Sequence, residues 1–409
     1  MSQTLKFGNK TWATKVGSTL AYNDENGNYK PLPFAFTRST SATRVNKEGL
    51  IEVVTNDRPR IDYTDTSDGV LLLEKAATNL ITYSEDFSNA AWTKLGTGTG
   101  SVAIVTSGYA ISPDGTQNAS RLQCDLNGGL TSSGNQSLIY DSYTSSGSQS
   151  LSVYLKSNTG SNQTIYFANT QTSGDTITVT SEWQRFEFNH STATYVFAVG
   201  LRGRSGGAID DTADVLIYGA QAETNSVASS YIPTQGSATT RVAETASGSG
   251  NSEVFNDSEG VLFANISQNN NSFNTISVSD GGTTDRVTLV YQNNTIKSIL
   301  VHNNNVVVLE KSGYLQNLFH KVAIKYTSSN VSLIVNGFEL FTASRGAFAD
   351  SLNTLQFAQG NGGNNFYGKT KEVGYYDTIL TDLEVETLTS YKSWTSMVNE
   401  LNLNIIYNG

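Results

Sequence analysis

A single cysteine, Cys124, stands in a chain of 409 residues, so no intrachain disulfide can form and no cysteine-based zinc site exists. Stability outside a cell would then have to come from large cores or from association. Three histidines leave little for metal catalysis. Charge is scarce as well: charged residues make up 15% of the chain, against about 25% in ordinary soluble domains. Lysine and arginine, 26 in all, are outnumbered by 36 acidic residues for a net charge of −10. That balance excludes wrapping around a phosphate backbone, which needs clustered cations. No apolar run approaches the ~18 residues of a membrane span, and Met1 to Lys10 lack the apolar core of a secretory signal. An extracellular type of composition without an export signal fits release by cell lysis.

Serine, threonine, asparagine and glycine fill the space left by charge. These residues suit turns and the solvent face of strands, and they suit helices poorly. Stretches with helical periodicity are absent until the last few dozen residues, so the expected class is mainly β, with one short C-terminal helix. The length implies two or three domains.

Residues 1–75 hold Pro31, Pro33 and the turn-rich Asp24-Glu25-Asn26-Gly27-Asn28, with short apolar pieces at Gly49–Val54 and Val70–Leu73. They read as an irregular adaptor that packs on neighbouring chains or on the next domain. From 76 to 225, short strands recur between turn signals, among them Leu151–Leu155, Trp183–Phe188, Thr194–Val199 and Asp214–Tyr218. Even spacing without helices predicts an antiparallel sandwich. Residues 226–258 are poor in bulky apolar side chains, and Thr245–Glu253 reads as a flexible linker. A second strand series occupies 259–398. Its clearest feature is the hairpin Val331–Phe341, where Asn336-Gly337 supplies a tight turn. Thr381 and Glu384 form a capping box for a helix running to about Met397. The tail, 399–409, contains Asn402–Tyr407, a possible closing strand. A short echo links Ser41-Ala42-Thr43-Arg44-Val45 to Ser237-Ala238-Thr239-Thr240-Arg241-Val242.

One ordered series is Phe36-Thr37-Arg38-Ser39-Thr40-Ser41-Ala42-Thr43, Gly49-Leu50-Ile51-Glu52, Arg58-Pro59-Arg60-Ile61-Asp62-Tyr63, Leu71-Leu72-Leu73-Glu74 and Thr78–Phe87, ending near Trp92. It resembles the opening of many bacteriophage tail-fibre and structural proteins. Tyr218–Glu223 and Ser229–Thr234 resemble the end of the carbohydrate-binding-module-like sandwich that follows such an opening. The region 259–395 is similar to the laminin G-like, concanavalin A-like lectin/glucanase class, on His320–Tyr326, the Val335-Asn336-Gly337 hairpin and Gly368–Glu384. The resemblance implies two jelly-roll sandwiches behind a virion-docking adaptor, on a tail or a head fibre. It also implies partners among other virion proteins, and a homotrimer by analogy with fibres.

Glycan binding needs aromatic faces for sugar C–H groups with amides or carboxylates beside them for hydroxyls. The loop residues of those types are Tyr143, Tyr291, Asn293, Asn294, Tyr314, Asn364, Asn365 and Tyr367. The competing assignment of each is to a sandwich core or a subunit contact, and Trp183 reads as core. The resemblance also implies a structural calcium, since related sandwich modules often hold one, with Glu85 or Asp86 meeting Asp214 and Asp210 and Asp211 a second acidic pair. Solvated carboxylates are the alternative. No other cofactor is expected. Hydrolysis of a glycan needs two carboxylates across a cleft, and the Glu-x-Asp-x-Glu strand of the glucanase branch is missing. No Gly-x-Ser-x-Gly elbow occurs, and Asp382-Leu383-Glu384-Val385-Glu386 is explained by helix capping. The sequons at Asn9, Asn118, Asn162 and Asn330 arise readily in such a composition. The sequence therefore reads as a non-enzymatic virion appendage, fibre or decoration, that adheres to a host glycan. A spacer touching only virion proteins and a polysaccharide-degrading enzyme are the alternatives.

Overall fold

The structure, a computed structural model, describes residues 3–168, 174–191, 196–204, 209–268, 270, 272–303, 305–345 and 351–404. Antiparallel strands dominate, and two short helices follow them. The chain forms two compact units: Met1–Ser39, Val54–Lys75 and Ala243–Gly409 make the first, and Thr40–Val53 with Ala76–Val242 the second.

In the first unit the central strand Gly368–Tyr376 pairs along one edge with Gly260–Ser267. Its other edge is shared end to end by Leu5–Gly8 and Val70–Leu73. Beyond Gly260–Ser267 the sheet continues through His320–Tyr326, Asn330–Val335 and Phe338–Ser344. The opposing sheet runs Asn305–Ser312, Thr295–His302, Asp285–Gln292, Asn274–Ser279 and Thr354–Gln356. Period-2 alternation sends Leu262, Ala264 and Ile266 inward to meet Ile276, Val278, Val287 and Leu289 in one core. Full burial of such side chains stabilises by about 1.5–3 kcal/mol each.

This arrangement corrects the expected division of residues 1–75 and 226–258. The N-terminal block is not a separate adaptor, because Leu5, Phe7, Phe34, Phe36, Leu71 and Leu73 are buried in the core of the C-terminal sandwich. Only Thr40–Val53 of that block belongs to the second unit. Nor is the stretch around 250 a free linker. Thr245–Ser247 pairs with Phe34–Thr37, and Val254 and Phe255 enter the core.

Four buried charges pin these distant segments together. Arg60 donates to Glu244 at 2.9 Å and to Glu74 at 2.8 Å, and Arg38 donates to Glu244 at 2.6 Å. Arg38 also donates to the carbonyls of Thr55 and Arg58 at 2.6 and 3.1 Å. All four side chains are almost fully shielded from solvent. Burial disfavours the Arg60 charge, but Glu244 and Glu74 outweigh it and hold the guanidinium protonated well above its ordinary range.

The second unit is a sandwich of two five-stranded sheets. One runs Thr93–Thr97, Gln136–Ser142, Val196–Arg202, Gln163–Ala168 and Asp175–Val179. The other runs Ile104–Ala110, Ala119–Asp125, Thr212–Glu223, Gln149–Ser157 and Gln184–His190. Leu122, Val153, Leu155 and Ile217 face Leu138, Ile165, Phe167 and Val199 across its core, with Trp92 at the end. Trp183 is half-buried just before its strand rather than in the core, and its indole donates to Ile111 O at 3.2 Å. Residues 194 and 195 of the expected strand lie outside the described residues.

Both structural signals read at the C-terminal end appear. Asn336 and Gly337 take φ of 52° and 89° between their two strands, the left-handed pair a two-residue hairpin turn requires. Thr381 caps the helix α1, Asp382–Thr389, with Glu384 completing the capping box. The helix is shorter than expected: it stops at Ser390, and a second helix, α2, Trp394–Glu400, starts from the Ser393 cap. Serine side chains favour such termini over helix interiors. Asn402–Asn404 form no strand, and 405–407 lie outside the described residues.

Candidate functional site

Hairpin geometry builds one end of the first unit's sandwich. Asp285–Gln292 turns into Thr295–His302 through Asn293 and Asn294, both at positive φ (48° and 58°). Asparagine tolerates that conformation better than other side chains. The Asn294 carbonyl accepts from the Gly313 and Tyr314 N–H groups, each at 3.0 Å, and its amide oxygen accepts from Gln316 N at 3.2 Å. Tyr291, whose strand leads into this turn, sits opposite Asn274 in register. Asn274 in turn accepts from Tyr367 N at 3.0 Å, and Thr275 donates to Asn364 O at 2.7 Å. A bridge joins Thr275 to Asn365.

Six predicted residues, Asn293, Asn294, Tyr314, Asn364, Asn365 and Tyr367, therefore gather at one end of one sandwich. Asn293, Asn294 and Asn364 are exposed; Asn365 and the two tyrosines are half-buried. The Tyr314 ring stands edge-on to His320 at 5.1 Å, and burial raises the Tyr314 and Tyr367 hydroxyls above the usual phenol range. The rim thus offers amide donors and acceptors beside two fixed rings. Asn270, which donates to Tyr367 O at 3.0 Å, and Gln316, whose N–H donates to Asn294, complete the rim; their only signal in the sequence is the asparagine and glutamine content of these loops.

Two predicted residues are corrected. Tyr291 has no exposed surface, and its hydroxyl donates to Leu315 O at 2.7 Å. Tyr143, in the second unit, is 8% exposed and donates to Gln149 at 2.7 Å. Both rings fill cores because the flanking strands turn them inward, and neither has a face for a ligand.

Each of the expected calcium ligands has partners of its own. Glu85 lines a cleft of ≈ 570 Å³ in the second unit together with Asp86, Asn118 and Tyr83. Its carboxylate accepts from Tyr231 at 2.9 Å, and the Tyr218 hydroxyl lies 3.2 Å from Glu85 and 3.1 Å from Asp114. Asp86 instead accepts from Ser88 at 2.6 Å. Asp214, four residues before Tyr218 on the same strand, pairs with Arg121 at 2.5 Å. Asp210 and Asp211 accept from the N–H groups of Thr164 and Gly128, each at 2.8 Å. Among the described residues no group of three or more His, Cys, Asp or Glu is placed to share a metal ion.

Burial raises the Glu85 carboxyl above its ordinary range, while hydrogen bonds from Tyr231 and Tyr218 pull the other way. Asp114 is also opposed by burial, yet bonds from Thr116, Ser112 and Asn118 bring it below the usual range. Both Asp114 oxygens are committed: Oδ1 to Ser112 and to the Thr116 N–H and hydroxyl, Oδ2 to Asn118 and Tyr218. A carboxylate so engaged anchors a loop and has little capacity left to activate water.

No family model matches the chain, and no curated protein matches it. Among solved structures it is similar to the CBM40 module of the Ruminococcus gnavus IT-sialidase bound to alpha2,3 sialyllactose. That match has 18% identity and a TM-score of 0.31, over 35% of this chain and 93% of the module. Domain 4 of AbnA, an extracellular arabinanase from Geobacillus stearothermophilus, in complex with arabinotriose, matches at 12% identity and a TM-score of 0.30, over 36% of this chain and 73% of that one. Domains LG4-5 of the mouse laminin alpha1 chain match at 10% identity and a TM-score of 0.25, over 69% and 90%. Likenesses of this size carry no functional argument.

Proposed function

We propose that this chain is a non-enzymatic surface protein of a bacteriophage particle, a fibre or decoration protein that adheres to host glycans through loops at the end of a sandwich. The observation that supports the adhesive part is the rim of Asn293, Asn294, Tyr314, Asn364, Asn365 and Tyr367. Rigid sheets hold such loops in place. Amides beside aromatic rings match the hydroxyls and C–H faces of sugars. The phage assignment rests on the sequence resemblance and on the composition. Docking to other virion proteins falls to the N-terminal residues, where Val16 and Tyr29 are 57% and 74% exposed. Trimeric assembly follows by analogy with fibres, and many weak sites on one particle would act through avidity. Light scattering at micromolar concentration reads the assembly directly, and a monomer would remove the trimer.

A glycan array probed with the full chain tests the adhesive reading. Wild type should bind a defined set of glycans, and the triple variant Asn293→Ala, Asn294→Ala, Tyr367→Ala should lose them by about tenfold or more. Absence of binding to any glycan and to permissive host cells would favour a spacer that touches virion proteins alone. Glycoside hydrolysis is the remaining alternative, with Glu85 in the second unit's cleft as the carboxylate to test. Reducing-end release from host capsule, lost in Glu85→Gln, would establish it.

A further inference from the structure

A second cleft, of ≈ 740 Å³, opens on the outer face of the first unit's large sheet. Its floor is a row of residues in register across three strands: Lys321 opposite Asn265, and Asn265 opposite Glu372. Alternation makes this the face turned away from the sandwich core, since Leu262, Ala264 and Ile266 point inward. Helix α1 covers part of the same face through Val385 and Leu388, which pack with Phe263 and Tyr376. Ser396 and Glu400 of α2, with Lys6 and Lys10 from the N-terminal segment, complete the walls.

Two features set this cleft apart. The first is an orphan acceptor: Asn265 is 7% exposed, lines the cleft, and its amide oxygen has no hydrogen-bond partner. A buried, unsatisfied carbonyl is destabilising, and a donor brought by a ligand would recover that loss. The second is charge. In a chain of net charge −10, five lysines line this one cleft with only three carboxylates among its lining residues. Some of these cations are engaged: Lys6 by Asp24 at 2.6 Å, Lys10 by Asp68 at 2.9 Å, and Lys371 more loosely by Glu400 at 3.7 Å. Lys321 donates to the Ser390 carbonyl at 2.8 Å, and Lys392 makes no ion pair among the described residues. Glu372 accepts from Gln3 at 3.2 Å and keeps further acceptor capacity. Burial pushes the Glu372 carboxyl up and the Lys321 ammonium down, so both groups are better satisfied with a polar ligand in place.

An occupant must bring hydroxyl donors for Asn265 and Glu372 together with negative charge for Lys321 and Lys392. We propose that the cleft is a subsite for a sugar bearing an anionic group, carboxylate or phosphate, on the host surface. It rests on the adhesion reading above and narrows its ligand class to acidic glycans.

Titration calorimetry of the full chain at low salt tests it with three probes: an oligogalacturonate, a ribitol-phosphate polymer and neutral maltohexaose. At least one anionic probe should bind about tenfold or more tighter than maltohexaose, and weaken as ionic strength rises and screening shortens. Which of the two binds identifies the anion. Lys392→Glu, at an exposed position where folding is not at stake, should lower that affinity by about tenfold, and Asn265→Leu should do the same with an unchanged dichroism spectrum. Binding of neither anionic probe overturns the subsite, as does equal binding of all three or a Lys392→Glu variant of undiminished affinity. If neutral glycans bind and only the rim variant loses them, the subsite fails while the adhesion reading stands. If anionic probes bind through the cleft and host cells are ignored, the subsite stands and the adhesion reading fails.

Discussion

Glu244→Gln is the substitution with the largest expected effect on the fold. Glu244 accepts from Arg38 at 2.6 Å, from Arg60 Nε at 2.9 Å and from the Glu74 N–H at 2.9 Å. The amide keeps the shape but removes one of two negative charges, leaving two buried guanidiniums to share Glu74. Breaking one side of a buried ion pair costs about 3–5 kcal/mol. At about 1.4 kcal/mol per tenfold, the first unit would open on the order of a hundred to several thousand times more often. Hydrogen exchange with mass spectrometry, read on peptides covering Phe34–Thr37, Arg60–Asp62 and Thr245–Ser247, measures that opening directly. A change below about 1 kcal/mol, the scale of an exposed ion pair, would refute the idea that this cluster joins the three segments.

Asp141 is buried and its carboxyl is pushed up to about 6, with a Ser142 backbone bond opposing the rise. An acid whose folded value exceeds its unfolded value, near 4, contributes stability that is full below about pH 4 and lost as pH rises through about 6, on the order of 2 kcal/mol. Urea titrations of the second unit at pH 4.5 and pH 7.5 should show that loss, and Asp141→Asn should flatten it. Gly337→Ala places a Cβ 2.5 Å from Ser390 Oγ at a φ of +89° and should cost about 1–3 kcal/mol in thermal unfolding. Thr381→Ala removes the α1 cap and should cost about 1 kcal/mol by the same assay.

Local chemistry was legible where it is self-contained. Asn336-Gly337 announced its hairpin, Thr381 and Glu384 their capping box, and the turn-bounded stretch Leu151–Leu155 its strand. Non-local pairing was not legible. Nothing near Leu5 or Leu71 says that both lie on Gly368–Tyr376, and nothing in the small, polar stretch after Val242 says that Glu244 meets Arg38 and Arg60. Burial of Arg38, Arg60 and Glu74 nevertheless gives a physical reason for the charged positions within the ordered series Phe36–Glu74. Asn79 and Ser84 fit the same pattern in the second unit: Asn79 donates to Ala220 O and Ile232 O at 3.0 and 2.9 Å, and Ser84 lies 2.7 Å from the Tyr231 hydroxyl. The rim residues were legible by type and loop position. Tyr291 and Tyr143 were misjudged because side-chain direction depends on strand register, which a single sequence leaves open.

Binding of the fluorescently labelled chain to intact permissive bacteria, before and after periodate oxidation of their surface sugars, puts the adhesive role to the most direct test. Saturable binding that periodate abolishes, and that the triple rim variant lacks, is the predicted result. Binding indifferent to periodate, or no binding to any permissive strain, would contradict it.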